Sequence, residues 1–373
     1  MGVAIPQVIT SDRASSAQTI DGSLKFDESK SQHLTRTFTG GNRRTWTHSS
    51  WVRQGDFGRK KSFFMVGPSS GLANSNYLSL DFDDNDKLRY AGGAENFKVT
   101  SQVFRDTGWY HVVWTCDTTE AAAVDRTKIY VNGELITVWS TSSSNPTQNY
   151  ELPYNENSVV HRIGTSTPYN NDREWNDAMS QVYFIDGAAL GPENFGFTDP
   201  LTNTWKPKKY KHDKRFYGVT FSNQLSPSDG PWRDSNPKSN GFDGSAATSI
   251  ALDTVEGTLT FSPNFGQGPF EIEYKGFNDG QTTATIDGTT LTYTSGSIWT
   301  GTVGSFNTLT LVAGSSNRPG IAYIKVNGYM LVDAAADNSF YLPFDGNTSI
   351  GKDQIGNGND WTPVNFGGSV ALD

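Results

Sequence analysis

The chain has 373 residues, 38 of them glycine, with 13% aromatic and 18% charged residues and a formal net charge of −9. That length exceeds what one hydrophobic core usually fills, and the aromatic content is too high for a disordered chain, so two folded domains are expected. One cysteine, Cys116, excludes an intrachain disulfide, and the acidic balance argues against nucleic acid as a partner.

The charge is uneven. Residues 1–215 hold 24 basic and 24 acidic side chains, whereas residues 216–373 hold 6 and 15, a difference of −9. The opening "MGVAIPQVIT" has neither the basic n-region nor the apolar stretch of a signal peptide. No run is long and apolar enough for a membrane-spanning helix, so no membrane insertion is expected. Residues 1–22 read as an N-terminal arm.

Strand-like runs then follow in close succession. They are "SLKFD" (23–27), "RTWTHSSWVR" (44–53), "KSFFMVG" (61–67), "NYLSLDF" (76–82), "KLRY" (87–90) and "WYHVVWTCD" (109–117). The hairpin "TKIYVNGELITV" (127–138) comes next, then "SVVHRIG" (158–164) and "AMSQVYFIDGAALGPENFG" (178–196). Short runs at this spacing, separated by turn residues, predict a β-sandwich or jelly roll over residues 23–205. Trp46, Trp51, Trp109 and Trp114 fall within these strands and are expected in its core.

A basic stretch, "KPKKYKHDKR" (206–215), opens a linker and loop that run to residue 239. It reads as solvated, or as docking on the acidic half of the chain. A second strand series occupies residues 240–335: "TLTFS" (258–262), "FEIEY" (270–274), "TATIDGTTLTYT" (283–294), "NTLTLVAG" (307–314) and "AYIKVNGYMLVD" (322–333). Its size predicts a smaller β-sandwich, so the overall class is all-β. The two Asn-Gly hairpins start 195 residues apart (322 − 127) and predict type I′ turns, because Asn and Gly tolerate positive φ.

"KFDESKSQ" (25–32), "GFDGSAAT" (241–248) and "PFDGNTSI" (343–350) echo one another near the start of each strand series. The third leaves too few residues for a sandwich. Residues 336–373 are therefore expected to form a C-terminal arm or the start of a further module.

"RTWTHSSWVR", "GWYHVVWTCD", "IYVNGELI", "RIGTS" and "QVYFIDGAALGPENFG" occur in an order that resembles the laminin-G-like, concanavalin A-like jelly-roll family. The wording of "GNRRTWTHSSWVR" and "NTWKPKKY" (203–210) is similar to the version in virion surface and tail-fibre proteins of marine bacteriophages. That resemblance implies a phage structural protein made in a bacterial cytoplasm. It would sit on the virion surface as a tail fibre, capsid-surface fibre or knob, with other virion proteins and a host-surface glycan as partners. It also implies a homo-oligomer, with a trimer the expected form. The other reading is a secreted polysaccharide-binding or glucan-hydrolysing protein of a marine bacterium.

The residues give little support to catalysis. Glucanases of this fold need an E-x-D-x-E strand that aims its carboxylates at one sugar bond, and this sequence has none. In "FEIEY", Glu271 and Glu273 share a face opposite Phe270, Ile272 and Tyr274, as in an ordinary half-exposed strand. His111 and Cys116 fall on opposite faces of their strand, and no nucleophile elbow or phosphate loop occurs. No enzyme activity is expected.

Two binding expectations remain. Asp81, Asp83 and Asn85 in "LDFDDNDK" follow the opening of a calcium loop, although Asp86 stands where an EF-hand needs Gly, which leaves a rim calcium as the candidate cofactor. Trp175, Tyr154, Tyr169 and Asn171 lie in polar loops, where an aromatic ring beside amides can stack on a sugar, and they are the glycan-facing candidates.

Overall fold

A computed structural model of the chain describes residues 20, 22–68, 70, 73, 75–92, 97–142, 145–166, 173–227, 232–277, 282–333 and 335–367. Among them every regular element is a β-strand or a short 3-10 turn, and every strand pairing is antiparallel across two packed sandwiches.

The first sandwich faces a seven-stranded sheet against an eight-stranded one. The seven-stranded sheet runs in the order Leu24–Lys25, Ala178–Asp186, Thr45–Arg53, Trp109–Asp117, Thr127–Val131, Glu134–Leu135, with Phe340–Leu342 also on Ala178–Asp186. The eight-stranded sheet runs Trp139–Ser142, Phe97–Val103, Lys87–Gly92, Leu78–Phe82, Lys61–Val66, Val160–Ile163, His33–Thr37, Thr362–Val364. Inward-facing residues of both sheets fill one core, which includes Trp46, Trp114, Cys116, Phe64, Leu80 and Phe184. Trp51 is buried on the other face, stacked on His111 at 4.9 Å, and Trp109 is only half-buried.

The C-terminal residues do not leave as an arm or begin a further module. Phe340–Leu342 pairs with Val182–Phe184, and Thr362–Val364 pairs with His33–Thr35. Phe340, Leu342, Phe344 and Trp361 enter the first core. The second sandwich is therefore an insertion within the first, and residues more than 300 positions apart in sequence close the same sheets. Beside this closure, Ala178–Asp186 has a bulge between Ser180 and Tyr183 in its pairing with Thr45–Arg53. Gln181 there takes φ +51°, its N–H donates to Pro343 O, and its Oε1 accepts from Tyr341.

The inserted sandwich pairs a five-stranded with a six-stranded sheet. "FEIEY" alternates as expected, with Phe270, Ile272 and Tyr274 buried and Glu271 and Glu273 outward. Its core is continuous with the outer face of the seven-stranded sheet, since Val113, Tyr183, Ile185 and Leu190 pack into the same cluster. Lys325, from the inserted domain, places its ammonium 2.5 Å from Asp117 and 3.3 Å from Glu120 of the jelly roll.

Both Asn-Gly hairpins adopt the expected turn, with φ +49° and +85° at Asn132 and Gly133 and +51° and +79° at Asn327 and Gly328. Each Asn also docks its hairpin on the neighbouring strand. Asn132 N–H donates to His111 O and Asn132 Oδ1 accepts from His111 N–H; Asn327 makes the same pair with Glu271. The repeated motif is thus a strand-docking device used once in each sandwich. The Phe-Asp echoes also share one geometry: Phe26, Phe242 and Phe344 are buried, while Asp27, Asp243 and Asp345 each accept from the N–H two residues on.

The basic stretch is not a free linker. Thr204–Pro207 pairs with Gly196–Asp199, Tyr210 packs on the shared core, and His212 bonds Asp337 at 2.8 Å. Lys208, Lys214 and Arg215 donate to backbone carbonyls of Glu193, Gly356 and Phe265. It docks mainly through carbonyls, with Asp337 the acidic side chain of the second half that it reaches.

Candidate functional site

Two of the expected glycan-facing aromatics, Trp175 and Tyr154, are interior. Trp175 is fully buried, its ring 5.6 Å from Phe63 and 6.1 Å from Phe82. Tyr154 is also fully buried, stacked on Phe184 at 4.3 Å with its hydroxyl 3.1 Å from His48. Each pins its loop onto the jelly-roll core, where apolar ring area is worth more than in solvent. Tyr169 and Asn171 lie outside the described residues.

The calcium candidates do not converge. Asp81 is buried and holds Arg89 bidentately at 2.6 and 2.8 Å. Asp83 accepts from the N–H groups of Asn85 and Lys87 in its own turn, and Asn85 bonds Asp84. Each carboxylate is already satisfied by its neighbours, and no group of three or more His, Cys, Asp or Glu suited to a metal occurs among the described residues.

Two histidine constellations resemble catalytic dyads in distance but not in proton arrangement. Ser49 Oγ lies 2.8 Å from His111 Nε2, while His111 Nδ1 accepts from the Trp205 indole. An indole can only donate, so the proton of the neutral ring sits on Nε2 and points at Ser49, the reverse of what a general base needs. Burial pushes the His111 pKa down to about 3, which keeps the ring neutral. In the second, Asp337 bonds His212, which lies 3.4 Å from the Tyr329 hydroxyl. Burial holds the Tyr329 hydroxyl well above the usual phenol range, so it is not activated as a nucleophile.

Three of the recesses at the described surface bear on function. The largest, about 990 Å³, lies between the basic stretch and the inserted sandwich, and its main groups satisfy one another: Arg215 holds Asp213, and Tyr210 bonds Tyr329. The second, about 550 Å³, is walled by Arg43 and Arg44, both held by Glu151. The third, about 430 Å³, is built differently. It lies where the sandwich opens, between the edge strand Glu134–Leu135 of one sheet and the edge strand Trp139–Ser142 of the other. Its volume falls within the ~300–1,000 Å³ typical of ligand sites.

The half-buried ring of Trp139 lines this groove, with Lys98 and Asn145 beside it. Lys98 stands opposite Tyr90, a core residue, so its stem points between the sheets and the side chain is only 7% exposed as a residue. Its ammonium emerges at the groove, 2.5 Å from Asn145 Oδ1 and 5.3 Å from the Trp139 ring centre. Burial lowers its pKa. Asp125 and Lys128 pair at 2.9 Å on the opposite rim, and Val124 and Leu135 are exposed beside them at 70% and 43%. Sequence reasoning missed this site because Trp139 follows the Asn-Gly hairpin and was not weighed beside the polar stretch "STSSSNPTQN" that comes after it. The signal that could have found it is the position of Trp139 directly after the Asn-Gly hairpin, where the chain crosses from one sheet edge to the other.

No curated protein matches the chain. Among solved structures, similar folds include the heptameric SAP-like pentraxin of Limulus polyphemus (14% identity, TM-score 0.34, 45% of this chain and 77% of that one). The sialidase CBM40 of Ruminococcus gnavus bound to α2,6 sialyllactose is 10% identical with TM-score 0.30, over 42% and 84%. Tailspike protein 2 from the Escherichia coli O157:H7 bacteriophage CAB120 is 12% identical with TM-score 0.34, over 47% of this chain and 24% of the tailspike. The chain also spans only about a quarter (27%) of the Trypanosoma rangeli sialidase it resembles. These likenesses are of fold alone. Residues 27–193 match the family described as the concanavalin A-like lectin/glucanases superfamily, and with the sheet order above this makes the first domain a concanavalin A-like jelly roll.

Proposed function

We propose that the chain is a non-enzymatic glycan-binding attachment protein, displayed on a phage virion surface as part of a fibre or knob. The observation that carries the binding reading is the groove at the open edge of the jelly roll, where the Trp139 ring lies beside the Asn145 amide and the Lys98 ammonium. An aromatic face takes the apolar side of a pyranose, and adjacent amide and ammonium groups bond its hydroxyls. The non-enzymatic reading is supported by the proton arrangement at His111 and by the Tyr329 hydroxyl, which burial holds well above the usual phenol range. Virion display, other virion proteins as neighbours and homo-oligomerisation are supported by the wording of "GNRRTWTHSSWVR" and "NTWKPKKY". Weak sites of this size become useful when several copies bind together.

Two experiments test this. Immunogold labelling of particles from the source culture should place the chain on tails or capsids; gold confined to cell envelopes or medium would overturn virion display. The purified chain should release no reducing sugar from β-glucan or other polysaccharides, and sustained release would overturn the non-enzymatic reading.

A further inference from the structure

The charge of the groove points to a narrower ligand class. A buried ammonium ordinarily faces a carboxylate, because an uncompensated charge out of water is costly. Elsewhere in this chain the rule holds. Lys61, with a fully buried side chain, lies 2.8 Å from Asp177, and Lys325 faces Asp117, Glu120 and Glu273. Lys98 is the exception. It is 7% exposed, yet its ammonium meets an amide oxygen and an aromatic ring, and no carboxylate lies within ion-pair distance among the described residues. The acidic side chain that also lines the groove, Asp125, is taken by Lys128 at 2.9 Å.

We infer that the groove binds an acidic saccharide, with the sugar's carboxylate or sulfate on the Lys98 ammonium and its ring on Trp139. This rests on the glycan reading above and goes further by assigning the charge of the ligand and the atom that receives it. The Lys98–Trp139 contact sets the geometry: the ammonium lies over the ring, 5.3 Å from its centre, so a pyranose packed against the ring beside it carries its anionic substituent within reach. Asn145, bonded to Lys98, holds the ammonium in place without neutralising it. Entry of the anion supplies a counter-charge that the described residues around Lys98 do not.

The test uses the full chain immobilised on a surface and three oligosaccharide sets of equal length: hexuronate oligomers, sulfated galactan oligomers and neutral glucan oligomers. At least one acidic set should bind tenfold or more tightly than the neutral set, and its binding should weaken as salt is raised. Which set binds separates carboxylate from sulfate. Lys98→Met keeps the buried stem, so it should melt no lower than wild type and should bring acidic binding down to the neutral level. Lys98→Arg should retain the acidic preference. Equal binding of acidic and neutral sets, lost in Trp139→Ala, would overturn the acidic assignment and leave the glycan reading standing. Binding of no set by the folded wild type would overturn both.

Discussion

Lys98 holds its ammonium 5.3 Å from the centre of the Trp139 ring, on a part of the sandwich where the two sheets separate. Because Trp139 is half-buried at an edge, removing its ring should cost binding more than folding. Trp139→Ala is expected to lose about 1.5–3 kcal/mol of saccharide affinity, roughly tenfold to hundredfold, with a small change in melting temperature. Trp175→Ala should behave oppositely. Its ring is interior, so the variant should lose about 3–5 kcal/mol of stability while its folded fraction binds as wild type. Thermal melts and titrations of the two variants side by side check both halves.

Trp361 lies 4.9 Å from Phe340 and 6.1 Å from Phe38, so the C-terminal segment is part of the first core. Trp361→Ala should therefore destabilise the jelly roll by about 3–5 kcal/mol, a cost that an appended arm would not show. A chain ending at residue 335 should expose the Ala178–Asp186 edge and aggregate or bind a hydrophobic dye. Urea unfolding followed by tryptophan fluorescence reads the first, and light scattering the second.

Lys325 balances several carboxylates at the junction of the two sandwiches. Burial alone would lower its pKa, but Asp117, Glu273 and Glu120 raise it overall. Lys325→Met leaves those acids without a cation and should cost about 3–5 kcal/mol at pH 7. The loss should shrink as pH falls, because burial raises the Glu120 pKa and, with its cation gone, a proton taken up on folding offsets the lost charge. A loss independent of pH would mean that packing, and not charge, carries the junction.

His48, His111 and His161 are interior, and burial pushes each pKa down to about 3. A folded pKa below the unfolded 6.5 means the unfolded chain binds protons first. The stability these groups provide is present above pH 6.5 and is lost as pH falls toward 3, each with a slope of up to about 1.4 kcal/mol per pH unit. Asp186 opposes them, since burial raises its pKa to about 7 despite its bonds to Asn338, Asn42 and Asn155. The folded state therefore holds its proton between pH 3.8 and 7, and this term gains stability as pH falls through 7. Three histidines outweigh one aspartate, so the urea midpoint should drop from pH 7 to pH 5. His161→Gln should make the drop shallower, whereas a flat or rising midpoint would contradict the assignment.

Much of the fold was legible because local signals agreed with one another. The runs "WYHVVWTCD" and "AMSQVYFID" became the strands Trp109–Asp117 and Ala178–Asp186, and the Asn-Gly turns adopted their positive φ angles. The closure of the jelly roll by Phe340–Leu342 and Thr362–Val364 was not legible. Pairing between residues as distant as His33 and Val364 leaves no local pattern. The site misled for a related reason. "YNNDREWND" and "LPYNEN" are polar around one aromatic, and their composition does not say whether that ring faces outward or anchors the loop. Trp175 and Tyr154 anchor. Lys98 was invisible as a binding residue because its meaning comes from the spatial lack of a carboxylate beside it among the described residues.

The most direct measurement is a calorimetric titration of the full chain and of Trp139→Ala with the oligosaccharide that the wild type binds best on the immobilised surface. Saturable binding by the wild type, weakened at least tenfold in a variant that melts within a few degrees of it, is the predicted result. Equal affinity in the two proteins would contradict the account, because saccharide recognition would then lie away from the open edge of the jelly roll.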